Sequence, residues 1–448
     1  MEVTIISRET IKPSVPLHHL KPYKICLFDQ LTPVTYVSVL LFYPIKDPTF
    51  NLPKTLAHLK KSLSETLTIY YPYSGITKNN LYIDEFDSGI PYLEARVNCT
   101  MSEFSKLKET ELLNKFVLFH PFSKEKETLS PQIAFQVNIF ACGGIALGTS
   151  ICHKKADGAS LRIFLQSWAA IFSGSYEKVI QPNFFHPASV FPPLTDVPEN
   201  LLNVVDQLWF KESNYVARRF LFNAEAVSAL KAIAKSDRAP APTKNEVVSC
   251  FIWKHAMAAS WIISGTPRTS IAAHAVNFRQ RMKSPSLENC TGNLFWWGAV
   301  ATDRKKDIEL QELVVLTREI LSGFDEELME MMKGEEGLEP VSEFLNQLGN
   351  MMSLESEKPD IYAFTNWKSF FNDIDFGWGK PFWVGAHGKV GAEFRNMIAL
   401  VDVQEGKGVE AFVTLEDKQM ALLEKDPIFL AFASDPVTAA GAAFTSRL

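Results

Sequence analysis

Residues 132–172 read QIAFQVNIFACGGIALGTSICHKKADGASLRIFLQSWAAIF, in which two strand patterns are followed by a helix pattern. AFQVNIF alternates between two faces, IALGTSI follows it, and Gly143-Gly144 between them is typical of a hairpin turn. From Gly158 to Phe172, large apolar residues recur at three- and four-residue steps, which predicts a helix. His153 therefore lies at the end of a strand, in a five-residue connection that ends at Asp157.

The rest of the chain mixes the same two kinds of pattern. The elements predicted before this stretch are strands at Val3–Ile6 and Thr35–Phe42 and a helix at Leu52–Leu67. Those predicted after it are a strand at Ala217–Phe222, helices at Glu225–Ala234 and Asn245–Ile263, a strand leading into Asn277, a solvated helix from Asp325 that ends near Gly334, and a hairpin of 396–403 with 408–415 around the turn Glu405–Gly408. Thr414 and Asp417 have the spacing of a capping box, which predicts the start of a helix there. These patterns indicate an α/β chain of the α+β type with mixed sheets.

The length of the chain, 448 residues, indicates two domains, because one hydrophobic core rarely grows beyond ~250–300 residues. The segment Tyr176–Leu201 is rich in proline and has little periodicity, so we interpret it as an extended linker. We therefore place one domain at residues 1–195 and the other at residues 196–448.

Composition excludes several classes of partner. Hydrophobic residues make up 46% of the chain and charged residues 21%, a balance typical of globular proteins. The net charge of -6 and the absence of a lysine- or arginine-rich run argue against nucleic acid as a partner. Apolar runs such as Val37–Tyr43 are far shorter than the ~20 residues that cross a bilayer, so we expect no membrane span.

The same features predict a cytoplasmic protein. Charges at Glu2, Arg8 and Glu9 interrupt the apolar core that a secretory signal needs. The cysteines are scattered without zinc-ligand spacing, which is typical of reduced thiols. An alternative address is peroxisomal, because the final Ser446-Arg447-Leu448 is one substitution away from the S-K-L signal.

The candidate for chemistry in the opening stretch is the pair His153 and Asp157. A histidine with an ordinary pKa near ~6.5 can stay neutral and accept a proton from a hydroxyl, but a lone histidine is more often structural. Asp157 either orients His153 or holds the loop through an ion pair, and we favour the structural role because a carboxylate also caps the following helix. No G-x-S-x-G, P-loop, G-x-G-x-x-G or H-E-x-x-H motif is present, which disfavours serine hydrolases, nucleotide enzymes and a metal site.

A second motif makes the pattern specific. Asp375, Phe376, Gly377, Trp378 and Gly379 form DFGWG within DFGWGKP, about two hundred residues after HKKADG. Together with KPYKICLFDQLTP, YYPYSG, AVNFRQRM, TGNLFWWG and GVEAFVTL, these motifs resemble the plant BAHD acyltransferase family over nearly the whole chain.

The resemblance implies a two-domain chloramphenicol-acetyltransferase-like fold with a solvent channel between the domains, and a segment near 375–396 that crosses over to the first domain. It implies that His153 deprotonates the hydroxyl of an alcohol, which then attacks the thioester of an acyl-CoA entering from the opposite side. Asp157 would point away from the reaction and pair with Arg279, and the DFGWG turn would be structural. The family also implies a monomer without a permanently bound cofactor.

Further residues are assigned by the same resemblance. Thr365 and Trp367 match family positions that face the oxyanion in hydroxycinnamoyl-transferring relatives, although a packed threonine and a core tryptophan are equally acceptable interpretations. Lys254 and Lys380 are candidates for the phosphates of coenzyme A, with ordinary surface lysines as the alternative. Gly292-Asn293 and the aromatic run Phe295–Trp297 either line an acceptor channel or belong to the core.

One position departs from the family pattern, because Ile76 follows YYPYSG where many relatives carry arginine. Within the family, the resemblance points to fruit and flower alcohol acyltransferases and, less closely, to alkaloid acetyltransferases of the vinorine synthase type. We therefore expect acetyl-CoA or another short acyl-CoA as co-substrate and an apolar volatile or terpenoid alcohol as acceptor. The alternatives are a bulky triterpenoid or alkaloid hydroxyl, and a catalytically silent ligand-binding homologue.

Overall fold

A computed structural model describes residues 1–434 except 48, 108, 125–130, 284–285, 303–307, 355–357 and 404–406. The strands are β1 Val3–Ile11, β2 Tyr23–Lys24, β3 Tyr36–Tyr43, β4 Ile76–Lys78, β5 Tyr82–Asp84, β6 Ile90–Val97, β7 Ile133–Phe140, β8 Ile145–Cys152, β9 Tyr215–Phe222, β10 Ser270–Asn277, β11 Phe295–Thr302, β12 Asp360–Lys368, β13 Trp383–Gly385, β14 Met397–Asp402 and β15 Val409–Glu416. The helices are α1 Leu27–Gln30, α2 Leu52–Ile69, α3 Met101–Ser105, α4 Gly158–Phe172, α5 Phe185–Val190, α6 Glu199–Trp209, α7 Ala224–Ala234, α8 Lys244–Ser264, α9 Leu310–Ser322, α10 Glu326–Met331, α11 Leu338–Leu354, α12 Asp417–Leu423 and α13 Pro427–Leu430. The tripeptide Ser446-Arg447-Leu448 and part of the turn predicted at Glu405–Gly408 lie outside the described residues.

The hairpin and helix predicted from residues 132–172 are confirmed. β7 and β8 pair in antiparallel register and are buried along their whole length. The turn between them places Gly143 at φ +82°, a conformation that glycine adopts without strain. α4 then begins at Gly158 and packs on α2, with Trp168 fully buried in the core of the first half.

Two mixed six-stranded sheets organise the described part of the chain. The first has the order β1-β6-β7-β8-β3-β13, and the second has the order β11-β10-β12-β14-β15-β9. β13 comes late in the sequence, yet it pairs with β3 through Trp383↔Phe42 and Gly385↔Leu40. The segment near 375–396 therefore contributes a strand to the sheet of the first half.

Two local predictions were wrong, and a third was confirmed. The proline-rich segment is not an extended linker, because it folds into α5 and the start of α6 and buries Phe191 against Phe28 with ring centroids 5.0 Å apart. The acidic helix is confirmed, because α10 is capped by Asp325 and ends at Met331, close to Gly334, which adopts φ +69°. The predicted helix does begin at Asp417, as α12, but Thr414 does not cap it, because Thr414 lies inside β15 and pairs with Ala217 of β9.

Helix α8 is long and apolar enough, by length and composition, to cross a membrane. Within the fold, 67% of its apolar window is buried, and Trp253 is among the fully buried side chains. This burial is the pattern of a core helix that is apolar on most of its surface.

A glycine in β8 tests the packing of the first half. A Cβ at Gly148 would lie 1.9 Å from the carbonyl oxygen of Phe116, which no rotamer can relieve. We expect Gly148→Ala to lower the free energy of unfolding by about 1–3 kcal/mol or more in urea denaturation. Gly158→Ala is the matched control, because its Cβ would lie 3.8 Å from the nearest atom. Equal stability of the two variants would contradict this packing.

Candidate active site

A cavity of about 730 Å³ lies between the two sheets. Its wall combines residues of β3 and β8, such as Val39 and Ile151, with residues of the second sheet, such as Ile271 and Met397. His153 lines this cavity at the end of β8, where the strand leaves the sheet.

The position of His153 is fixed by its backbone and by its ring. Its backbone N–H donates to the carbonyl oxygen of Thr35 at 2.8 Å, and its ring lies 5.6 Å from the ring of Phe295. Nδ1 lies 3.1 Å from Oδ1 of Asn293. The histidine is only partly buried, so one side of the ring remains open to the cavity.

Asn293 determines which nitrogen of His153 carries the proton. Its Nδ2 donates to the backbone oxygen of His153 at 2.6 Å and to Oδ1 of Asp29 at 2.9 Å, so its Oδ1 is the acceptor. Nδ1 of His153 must then be the protonated nitrogen, and Nε2 keeps its lone pair. Asp29 also accepts the backbone N–H of Asn293 at 2.7 Å. The other oxygen of Asp29 accepts the backbone N–H of Cys26 at 3.0 Å, which fixes the carboxylate.

Burial shifts the pKa values of His153 and Asp29 in opposite directions. Desolvation lowers the pKa of His153 below its usual range, so the imidazole is neutral at neutral pH. The pKa of Asp29 is raised by burial, although the N–H donors of Asn293 and Cys26 oppose that shift. His153 can therefore accept a proton at Nε2 without first losing one.

Asp157 points to the other side of the loop. Its Oδ1 accepts from the backbone N–H of Ser160 at 2.9 Å and caps α4, and its Oδ2 lies 2.6 Å from Nη1 of Arg279. Oδ2 also accepts the N–H of Leu294 at 3.1 Å. Burial raises the pKa of Asp157, but Arg279 and Ser160 outweigh burial and leave that pKa below its usual value. The carboxylate is thus ionised and occupied by structural partners.

Thr365 and Trp367 line the same cavity as His153. They are two residues apart on β12, at the point where a β-bulge between Asn366 and Lys368 interrupts the regular alternation of the strand. Neither the hydroxyl of Thr365 nor the indole N–H of Trp367 hydrogen-bonds to a residue that the structure describes. Two free donors therefore share the cavity with the free Nε2 of His153.

Known proteins resemble this chain over nearly its full length. The profile of the Transferase family matches residues 1–430. Akuammiline synthase 2 from Alstonia scholaris is 35% identical over 97% of this chain and 97% of its own. Limonoid 7-O-acetyltransferase from Citrus sinensis is 35% identical over 97% of this chain and 99% of its own. The crystal structure of vinorine synthase superposes with a TM-score of 0.79 at 31% identity, covering 96% of this chain and 98% of that one.

The chain belongs to the BAHD acyltransferase family. The family and the two-domain acyltransferase fold expected from the sequence are both confirmed. A BAHD enzyme takes acyl-CoA as its co-substrate and transfers the acyl group to an acceptor. Among the described residues, no group of three His, Cys, Asp or Glu side chains is placed to hold a metal ion.

The BAHD turn Asp375–Gly379 lies outside this cavity. Oδ1 of Asp375 accepts the N–H groups of Gly377 at 2.7 Å and Gly379 at 3.0 Å, and both glycines have positive φ. Phe376 is buried edge-to-face against Trp168 of α4, with ring centroids 5.1 Å apart. The turn therefore packs against α4 and contributes no residue to the lining of the cavity that contains His153.

The two candidate lysines for coenzyme A do not line the cavity. Lys254 pairs with Glu309 at 3.1 Å, and Lys380 pairs with Asp373 at 2.5 Å. Arg281 and Arg318 are cations that do line it. The assignment of the lysines stays a prediction, without a contact to this cavity in its support.

The residues that position the base were not recognised in the sequence. Asn293 was interpreted only as a lining or core residue, and Asp29 was not singled out at all. Asp29 and Asn293 are 264 positions apart, so no local pattern joins them. The one available signal was that both lie in segments that carry the BAHD resemblance, LFDQ and TGN.

Two substitutions of Asp157 distinguish its ion pair with Arg279 from its capping of α4. We expect Asp157→Ala to lose about 3–5 kcal/mol of stability, because it leaves Arg279 buried without its partner. Asp157→Asn should lose less, because the amide oxygen can still cap α4. Since the pKa of Asp157 is lowered in the fold, the ion pair stabilises above the unfolded pKa of ~3.9 and is lost as pH falls below it. Urea unfolding at pH 7 and pH 3 measures both effects, and a stable but inactive Ala variant would contradict the structural role.

Replacement of Asn293 tests the positioning of His153. We expect Asn293→Ala to lower kcat by about 10- to 100-fold, because the ring can then rotate and change tautomer. The control is Asn289→Ala, which removes an exposed asparagine of the same loop. The measurement is steady-state kinetics of both variants at a temperature at which both are fully folded. An unchanged kcat in Asn293→Ala would show that the base is oriented by other contacts.

Proposed function

We propose that this protein transfers an acetyl group from acetyl-CoA to a hydroxyl of a bulky polycyclic terpenoid or alkaloid alcohol. The observation that carries the proposal is the shared cavity, which is lined by His153, whose Nδ1 is engaged by Asn293, and by Thr365 and Trp367 with their free donors. The names of the similar proteins support the acceptor class, because they include a limonoid acetyltransferase and alkaloid-forming synthases.

The proposed reaction needs no covalent enzyme intermediate. Nε2 of His153 takes the proton of the acceptor hydroxyl while the hydroxyl oxygen attacks the carbonyl carbon of the thioester. The carbonyl electrons move to its oxygen, and the resulting oxyanion accepts hydrogen bonds from Thr365 and Trp367. Collapse of this tetrahedral species breaks the carbon–sulfur bond, and the departing thiolate takes the proton from His153. The products are an ester and free coenzyme A.

The size and lining of the cavity favour a large acceptor over a volatile one. The cavity of about 730 Å³ has room for more than one small group, and its apolar part is the end that would take the acceptor. One face is built from apolar side chains: Val205, Leu208 and Trp209 of α6, Phe344, Leu345 and Leu348 of α11, and Ile361, Phe394 and Met397. A short alkanol would leave much of this surface uncovered, whereas a fused ring system would bury it.

We further propose that the enzyme is a cytoplasmic monomer acting without a membrane. The free and mostly buried cysteines support a reducing compartment. The peroxisomal alternative rests on the last three residues alone.

A thiol-release assay tests the reaction and the acceptor class together. Purified protein is incubated with acetyl-CoA and one alcohol at a time, and the products are identified by mass spectrometry. The alcohols are a triterpene alcohol, an indole-alkaloid alcohol, geraniol, benzyl alcohol and short alkanols. We expect one of the polycyclic alcohols to gain an acetyl mass with matching free thiol. His153→Ala should lose at least ~100-fold in turnover. In the wild type, kcat/KM should fall only below a pKa lower than 6.5, because burial lowers the pKa of His153.

The other outcomes are equally informative. Faster turnover of geraniol than of any polycyclic alcohol would replace the acceptor class with volatile alcohols. Near-normal turnover by His153→Ala would overturn its role as base. Binding of acyl-CoA without thiol release for any alcohol or acyl chain would identify the catalytically silent homologue.

A further inference from the structure

The second sheet divides beside the active site. β10 and β12 pair in parallel from Ser270↔Asp360 to His274↔Phe364 and no further, although β10 continues to Asn277 and β12 to Lys368. Beyond the last pair, the cavity is lined by Ala275 and Asn277 on one side and by Thr365 and Trp367 on the other. The cavity therefore passes through the sheet at this fork, and His274 and Phe364 form its base.

The two faces of the sheet give the cavity two chemically different ends. On one face, Ile271, Ala273 and Ile361 belong to the apolar cluster that also contains α6 and α11. On the other face, the lining comes from the first turns of α8 and from α9, and it is rich in polar side chains: Thr243, Asn245, Glu246, Ser249, Thr317, Arg318 and Ser322. The apolar end suits the acceptor, so the polar end is available to the acyl donor.

His274 stands between these ends on the polar face. Its ring stacks on Phe364 with centroids 5.0 Å apart and planes at 15°, and Phe364 packs with residues of α8. Only 9% of the residue is exposed, and neither ring nitrogen hydrogen-bonds to a residue that the structure describes. A buried polar group without a partner costs about 1–3 kcal/mol, so its presence needs a reason.

The charges around His274 limit what its partner can be. Burial lowers the pKa of His274 to about 4, so the ring is neutral at neutral pH and cannot neutralise an anion. The charge of Glu246 acts to raise the pKa of His274, but its carboxylate is already engaged by Arg318 at 2.8 Å and by the N-terminal cap of α8. Oδ1 of Asn245, at the same end, is buried without a partner. A neutral group that both donates and accepts hydrogen bonds fits these side chains, and a phosphate does not.

We propose that His274 hydrogen-bonds an amide of the pantetheine arm of the acyl donor and so positions the thioester at the fork beside His153. The inference rests on the proposed acetyl-CoA-dependent function and adds a positioning residue to it. The pantetheine arm contains two amides between the thioester and the phosphates, and an amide presents one N–H and one C=O. Its N–H can donate to Asn245, and its C=O can accept from the imidazole N–H of His274.

Donors that differ in their amides test the proposal. His274→Phe keeps the aromatic stack on Phe364 and removes both ring nitrogens. We expect it to lower kcat/KM for acetyl-CoA and for acetyl-pantetheine by about 3- to 10-fold, the loss of one neutral hydrogen bond. With S-acetyl-mercaptoethanol, which has no amide, kcat/KM should not change. The KM of the acceptor should also stay the same.

Conservative variants and stability complete the experiment. Asn and Gln place an amide near the positions of Nδ1 and Nε2, so at least one of His274→Asn and His274→Gln should recover most of the activity with acetyl-CoA. Without ligand, His274→Phe should unfold at the same or a higher temperature, while coenzyme A should raise its Tm less than that of the wild type.

Two results would overturn the role of His274. An equal loss with all three donors would mean that the residue does not recognise the amide, and a change confined to the KM of the acceptor would place it in the acceptor site. Absence of turnover by the wild type with every donor would instead reject the proposed function itself.

Discussion

The carboxylate of Asp157 is the contact on which the active site depends. It caps α4 in the first half of the chain and, 122 positions away, holds Arg279 of the second half. It also accepts the backbone N–H of Leu294, the residue next to Asn293. The ion pair thus fixes the segment that carries Asn293, and the side-chain amide of Asn293 orients the imidazole of His153. Structure and chemistry are linked here because the same loop serves both.

The two buried carboxylates of this site differ in their charge partners. Asp157 faces a guanidinium that donates to its Oδ2 at 2.6 Å, and its pKa is lowered despite burial. Asp29 is held mainly by N–H groups of Asn293 and Cys26, with Lys155 as a more distant charge, and burial raises its pKa. A guanidinium in direct contact therefore outweighs desolvation, whereas N–H donors and a more distant lysine do not.

The sequence predicted those features whose causes are local or carried by family motifs. The strand, the turn at Gly143 and the helix from Gly158 follow from spacing within forty residues, and the structure has them at nearly the same bounds. The Asp29–Asn293 contact and the fork at His274 could not be predicted, because they depend on the register of strands far apart in the sequence. At Thr414, the capping signal correctly predicted a helix beginning at Asp417, but pairing of β15 with β9 keeps Thr414 itself in the strand. The proline-rich segment was misjudged because its few aromatic residues, such as Phe191, find partners only in the folded chain.

The strand exchange at β13 restricts how the two halves can move. Trp383 pairs with Phe42 of the first sheet, while its indole donates to Glu410 of the second sheet at 2.8 Å and lies 4.8 Å from the guanidinium of Arg219. If the two halves opened about a hinge, β13 would have to separate from β3 and expose the apolar edge of the first sheet. The width of the passage is therefore set by the fold itself. An acceptor too wide for the passage is excluded by strand pairing, without any contribution from a closing motion.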